Sequence, residues 1–211
     1  MLLCDIGNTS YHFLSHNHDY KENVKTFKPQ TIQEKIYYIC VNTEVQKALD
    51  SLDNWIDLSK FIDKDKYYET MGIDRIFACE AISDGVIVDA GSAITVDLVE
   101  DSTFKGGFIY PGIKAMQETY KNISPALNYS FNYKLDVTQL PKNSRDAISY
   151  GYLKTLYGEV VSHEKQIFLT GGNAELLLHI FPEAKLHLHL IFDGMKKVLK
   201  ENISSPNQTL S

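Results

Sequence analysis

One short turn is written twice in this chain, and it constrains the fold more than any other feature. Asp5-Ile6-Gly7-Asn8-Thr9 follows an apolar run that begins at Leu2. Asp89-Ala90-Gly91-Ser92-Ala93-Ile94-Thr95 follows Val86-Ile87-Val88. In each copy an acid ends a buried strand, a glycine follows, and small polar residues lead into the next strand. A hairpin of this kind aims backbone N–H groups and hydroxyls at an anion. Glycine lets the anion approach without a Cβ in the way. A carboxylate at the strand end repels phosphate, so its position makes sense if it holds a cation that bridges to phosphates. A single Asp-x-Gly is also an ordinary hairpin turn. Two copies in matching strand contexts point instead to a phosphate-bearing ligand.

The order of elements repeats too. Strands are predicted at Leu2–Ile6, 11–15, 21–27 and 36–41, then helices over 43–52 and 75–82 from their apolar spacing. A second series follows, with strands at 86–88, 94–99 and 104–110 and a helix over 113–121. Residues 124–140 show no period and read as a loop or flexible segment. A long helix over 143–161, a strand at 166–169, a helix over 174–180, a strand at 185–190 and a helix over 194–200 complete the chain. The tail beyond Asn202 is polar and reads as frayed. The expectation is a mixed α/β fold of two related lobes, 1–84 and 85–211, with a cleft between them.

Composition narrows the function. The 211 residues carry a net charge of −6, and the lysines are interleaved with acids, which argues against a nucleic-acid partner. No apolar run approaches the roughly 20 residues that span a bilayer. The start has no basic n-region or cleavage site, so the expected location is cytoplasmic. The three cysteines, Cys4, Cys40 and Cys79, lie in apolar contexts without metal-ligand spacing and read as buried thiols. His187 and His189 alternate with leucines, as the polar face of a strand would. Trp55 and the pair Tyr37-Tyr38 read as packing.

Three further segments carry possible chemistry. Gly106-Gly107-Phe108-Ile109-Tyr110-Pro111-Gly112 is either a wall of the ligand cleft or a tight strand-to-helix corner. Thr170-Gly171-Gly172 closes a strand and opens a helix, a geometry that suits a nucleotide. In Gly72-Ile73-Asp74-Arg75, Asp74 is either a helix cap beside a surface arginine or a proton acceptor beside an arginine that holds a carboxylate.

Taken in order, the two Asp-x-Gly turns (the second extended by Val96-Asp97), Gly72-Ile73-Asp74-Arg75 and the segment Gly106 to Gly112 resemble the type III pantothenate kinases. These belong to the actin-like, sugar-kinase and heat-shock-ATPase superfamily. Asn143-Ser144 and Thr170-Gly171-Gly172 extend the likeness from about Leu2 to Gly172. The resemblance implies two ribonuclease-H-like lobes with mixed sheets and an ATP cleft between them. It implies phosphorylation of pantothenate by ATP, the first step of coenzyme A synthesis, in a homodimer. Asp5 would position magnesium ATP through water, with Ile6, Gly7, Asn8, Thr9, Ser10 and Ser92 at the nucleotide. Asp74 matches the catalytic proton acceptor. Gly72, Ile73, Asp74, Arg75 and Ser144 match pantothenate contacts, Ser144 from a partner subunit. Asp89 matches a ligand of a monovalent cation, potassium or ammonium. Where relatives carry a basic residue after the first turn, this chain has Tyr11 and His12; His12 is a weaker phosphate partner or a plain strand residue. The substrate-contacting tyrosine falls on Tyr68, with Tyr67 as the alternative.

Overall fold

The structure is a computed structural model that describes residues 1–16 and 18–203. It divides into two compact units: Met1–Ile82 together with the chain from Leu190 onward, and Ser83–His189.

The first unit is built on a five-stranded sheet of β1 (Leu2–Ile6), β2 (Ser10–Leu14), β3 (Asp19–Asn23), β4 (Ile36–Cys40) and β5 (Trp55–Asp57). Its order is β3-β2-β1-β4-β5, with β1 antiparallel to β2 and parallel to β4. Apolar residues occupy both parities of β1, so both faces of the sheet are covered. Leu2, Cys4 and Ile6 pack with Val45 and Leu49 of α1 (Thr43–Leu49). Leu3 and Ile39 pack with Phe77 of α2 (Ile73–Glu80) and with Phe192, Met195, Val198 and Leu199 of the last helix, Leu190–Ile203. Short 3-10 turns at Leu58–Phe61 and Lys64–Lys66 lead from β5 toward α2.

The second unit repeats this topology. Its strands are β6 (Gly85–Ala90), β7 (Ala93–Glu100), β8 (Thr103–Pro111), β9 (Ile167–Thr170) and β10 (Lys185–Leu186). The order β10-β9-β6-β7-β8 mirrors the first sheet strand for strand, with antiparallel pairs on one side of the central strand and parallel pairs on the other. The helices are α3 (Ile113–Ile123), α4 (Ser144–Ser162), α5 (Ala174–Leu177) and, back in the first unit, the last helix, α6. Val86, Val88, Ile94 and Val96 pack against Ile148, Tyr152, Leu153 and Leu156 of α4.

Four expectations change. The helix α6 packs with the first unit, because its apolar residues complete that core. The strand expected at 185–190 ends at Leu186, and α6 begins at Leu190, so His187 and His189 do not alternate along a strand. The segment 124–140 is irregular but not loose: Phe131 and Val137 are buried, and Phe131 stacks on Tyr152 at 4.8 Å between ring centroids. Strand β5 was not expected, because three residues show no period. The rest of the tail beyond α6 lies outside the described residues.

Candidate functional site

Both hairpins leave the central strand of their sheet, and the glycine after the acid closes each one. Gly7 donates its N–H to the Ser10 carbonyl at 3.0 Å, and Gly91 donates to the Ala93 carbonyl at 3.0 Å. Four residues separate the paired Ile6 and Tyr11, while three separate Ala90 and Ile94, so the second turn is one residue tighter. Asn8 and Thr9 are exposed, whereas Asp5 is half-buried. His12 stands directly opposite Asp5 in the ladder. Its Nε2 donates to Asp19 at 2.7 Å, and its ring meets Phe192 edge-on at 4.8 Å. The imidazole thus meets β3 and α6.

In the second unit the separate glycine motifs converge on one turn. Gly171 lies at φ +86°, and a Cβ there would overlap the Asp89 carboxylate and the Ala90 backbone. Only glycine combines that backbone conformation with such close approach. Asn173 donates its N–H to the Ala90 carbonyl at 2.9 Å. A Cβ on Gly112 would overlap the Ser92 carbonyl. The loop after β9 and the corner after β8 thus brace the Asp89 turn within this unit. Gly106 and Gly107 lie inside β8 beside a register shift, and the corner falls at Gly112, which precedes α3. At the head of α4, Asn143 caps the helix by accepting from the Asp146 N–H at 3.0 Å, and Ser144 is exposed. Hydrogen bonds from Asn132 and Asn143 hold the Asp146 carboxyl below its usual range.

The remaining residues lie at α2. Its cap position is Gly72, with no side-chain cap. Asp74 sits in the first turn, half-buried, and accepts the Arg75 N–H at 2.8 Å. A carboxylate there is favoured by the helix dipole. Arg75 is only 6% exposed, so it is not a surface residue. Its Nη1 donates to the Tyr68 hydroxyl at 2.5 Å, and its guanidinium lies 5.7 Å from the Tyr68 ring centroid. Tyr67 donates its hydroxyl to Glu80 at 2.9 Å, and burial and that carboxylate push its pKa upward.

A cavity of about 820 Å³ opens in this unit, within the range of small-molecule sites. Tyr67, Tyr68, Met71 and Ile73 line one part of it. Cys40, Gln46, Asp57 and Ser59 line another, and sequence reasoning missed them. Gln46 donates to Tyr38 at 2.8 Å and to Asp57 at 3.2 Å, while Asp57 also accepts the Ser59 N–H. These residues come from β4, α1, the end of β5 and the 3-10 turn that follows it, and nothing in their local sequence marks them. Among the described residues no three His, Cys, Asp or Glu side chains gather as a metal cage. A magnesium ion carried by phosphates needs only one or two carboxylates, and Asp5 at its strand end fits that requirement.

Two units of one topology, each centred on a strand that ends in an Asp-x-Gly hairpin, define the fold of the actin-like ATPases and sugar kinases. A structure described as a 2-dehydro-3-deoxygalactonokinase from Sinorhizobium meliloti shares it, with a TM-score of 0.52 at 8% identity over 95% of this chain and 98% of that one. Within that fold the chain belongs to the type III pantothenate kinase family. The family model for type III pantothenate kinase matches residues 59–165. A type III pantothenate kinase of Sulfurimonas denitrificans is 58% identical over 95% of this chain and 98% of its own length. One from Campylobacter jejuni is 42% identical over 96% and 98%. A crystal structure from Campylobacter jejuni, described as a conserved Baf family transcriptional activator, matches with a TM-score of 0.86 and 40% identity, covering 97% of this chain and all of that one.

Proposed function

We propose that this protein transfers the terminal phosphoryl group of ATP to the primary hydroxyl of pantothenate, the first step of coenzyme A biosynthesis. The observation that carries this reading is the head of α2. There a half-buried Asp74, whose carboxylate accepts the Arg75 backbone N–H, precedes a buried Arg75 on a helix turn whose Ile73 and Ile76 line the cavity. Pantothenate has a carboxylate for an arginine and a hydroxyl for a base. Asp74 takes the hydroxyl proton as that oxygen bonds to phosphorus and the bond to ADP breaks. Arg75 binds the carboxylate, with Tyr68, Gly72, Ile73 and Ser144 as further contacts. Ile6, Gly7, Asn8, Thr9, Ser10 and Ser92 contact ATP through the hairpins, and His12 steadies the strand behind Asp5. Magnesium, when bound, offsets phosphate charge, and Asp5 would hold it through water. Asp89, braced by Gly171, would hold potassium or ammonium. The active form is a cytoplasmic homodimer.

The test is ADP release from purified protein with magnesium ATP, pantothenate and either sodium or potassium. Pantothenate-dependent ADP is expected, faster in potassium. Its absence in every cation would leave a nucleotide-binding regulator, the reading that the name of the Campylobacter crystal structure raises. Asp74→Asn should lower kcat by about 100-fold or more, as lost general-base catalysis does. A near-normal rate would remove Asp74 from this role.

A further inference from the structure

Tyr67 and Tyr68 are adjacent, yet they bind α2 at different points. Tyr68 receives a hydrogen bond from Arg75 in the helix's first turn. Tyr67 donates to Glu80, the last residue of the helix. Those two helix positions are about 7.5 Å apart along the axis. The segment that joins Tyr67 to Gly72 is therefore fastened to α2 at both ends of the helix. Between these fixings the Met71 N–H donates to the Tyr68 carbonyl at 3.0 Å, and the Tyr67 N–H donates to the Lys64 carbonyl at 3.1 Å. Tyr67, Tyr68, Glu69 and Met71 all line the cavity. Glu80 does not line it. Glu80 is itself fixed from α6: Lys197 donates to its carbonyl at 2.8 Å and lies 3.9 Å from its carboxylate.

We propose that Glu80 is a positioning residue, which by holding Tyr67 at the far end of α2 sets the segment carrying Tyr68 and Met71 for pantothenate binding. This rests on the reading of Tyr68 and Arg75 as substrate contacts. Tyr67 is then the anchor of the pair and Tyr68 the contact, a division that their separate partners on α2 allow. Glu80 touches no reacting atom, so its loss acts on pantothenate affinity and leaves the phosphoryl-transfer step alone.

The test compares kcat and both KM values for Tyr67→Phe, Glu80→Ala, Glu80→Gln and the double variant Tyr67→Phe/Glu80→Ala. Tyr67→Phe and Glu80→Ala should each raise KM for pantothenate about tenfold, the change that follows loss of one charge-assisted hydrogen bond. Their kcat and KM for ATP should stay within about twofold of the parent. Glu80→Gln keeps a carbonyl that accepts from Tyr67 and should behave nearly as the parent. The double variant should be no worse than either single one, because both remove the same bond. Additive effects in the double variant, or an unchanged pantothenate KM in Tyr67→Phe while Arg75→Ala raises it, would overturn the positioning role. An unchanged pantothenate KM in Arg75→Ala and Tyr68→Phe as well would overturn the substrate-site reading on which it stands.

Discussion

Arg75 shows how burial changes the meaning of a residue. From local sequence it is equally a surface residue or a substrate ligand; at 6% exposure, hydrogen-bonded to Tyr68, it is a buried cation placed beside a cavity. Burying an unneutralised guanidinium is costly, so such residues are held by partners or serve ligands. Cys40 makes a second case. It reads as one of three alike thiols, but Cys4 and Cys79 are buried in the core while Cys40 is half-buried and lines the cavity. Burial pushes its pKa up to about 11. A raised pKa keeps the thiol neutral, so alkylation of native protein should modify Cys40 slowly, with a rate still climbing above pH 9. Pantothenate should protect it. A labelling rate that levels off near the ordinary thiol value of about 8.5 would contradict this, and peptide mapping after timed iodoacetamide treatment decides it.

At the scale of elements, the crossing of α2 and α6 sets the base on which the segment carrying Tyr67 and Tyr68 rests. Gly194 of α6 lies against the Phe77 carbonyl of α2, and a Cβ there would overlap it. Gly194→Ala gains about 1 kcal/mol in helix propensity. The clash forces the helices apart, and overpacking of this kind costs about 1–3 kcal/mol. A net loss of about 0–2 kcal/mol is expected from the shift in urea midpoint; a stabilised variant would show that the crossing can open. The hairpins were legible in sequence because their determinants are local: an acid and then a glycine after a strand. Strand β5 and the start of α6 were not. Three residues carry no period, and the leucine–histidine alternation from Leu186 to Leu190 imitates a strand where the chain is in fact leaving one.

For the whole molecule, the chain returns to its first unit at its end. Phe192, Met195, Val198 and Leu199 pack with Leu3, Ile39, Leu58 and Phe77. Burial of four large apolar side chains contributes roughly 6–12 kcal/mol, comparable to the whole stability of an ordinary domain at about 5–15 kcal/mol. A chain that stops at His189 should therefore lose cooperative unfolding of the first unit and all kinase activity. Calorimetry and the ADP assay check this, and a truncated protein with parental turnover would refute it. The sequence by itself determined the doubled hairpin and the doubled order of elements, because each depends on residues within a few positions of one another. Only the tertiary structure decided that α6 belongs with the first unit, that Gly112 and Gly171 close on the Asp89 turn, and that Gln46, Asp57 and Cys40 share a cavity with Tyr68. These are contacts between residues far apart in the chain, and they are fixed by which apolar faces bury together, which local pattern does not encode.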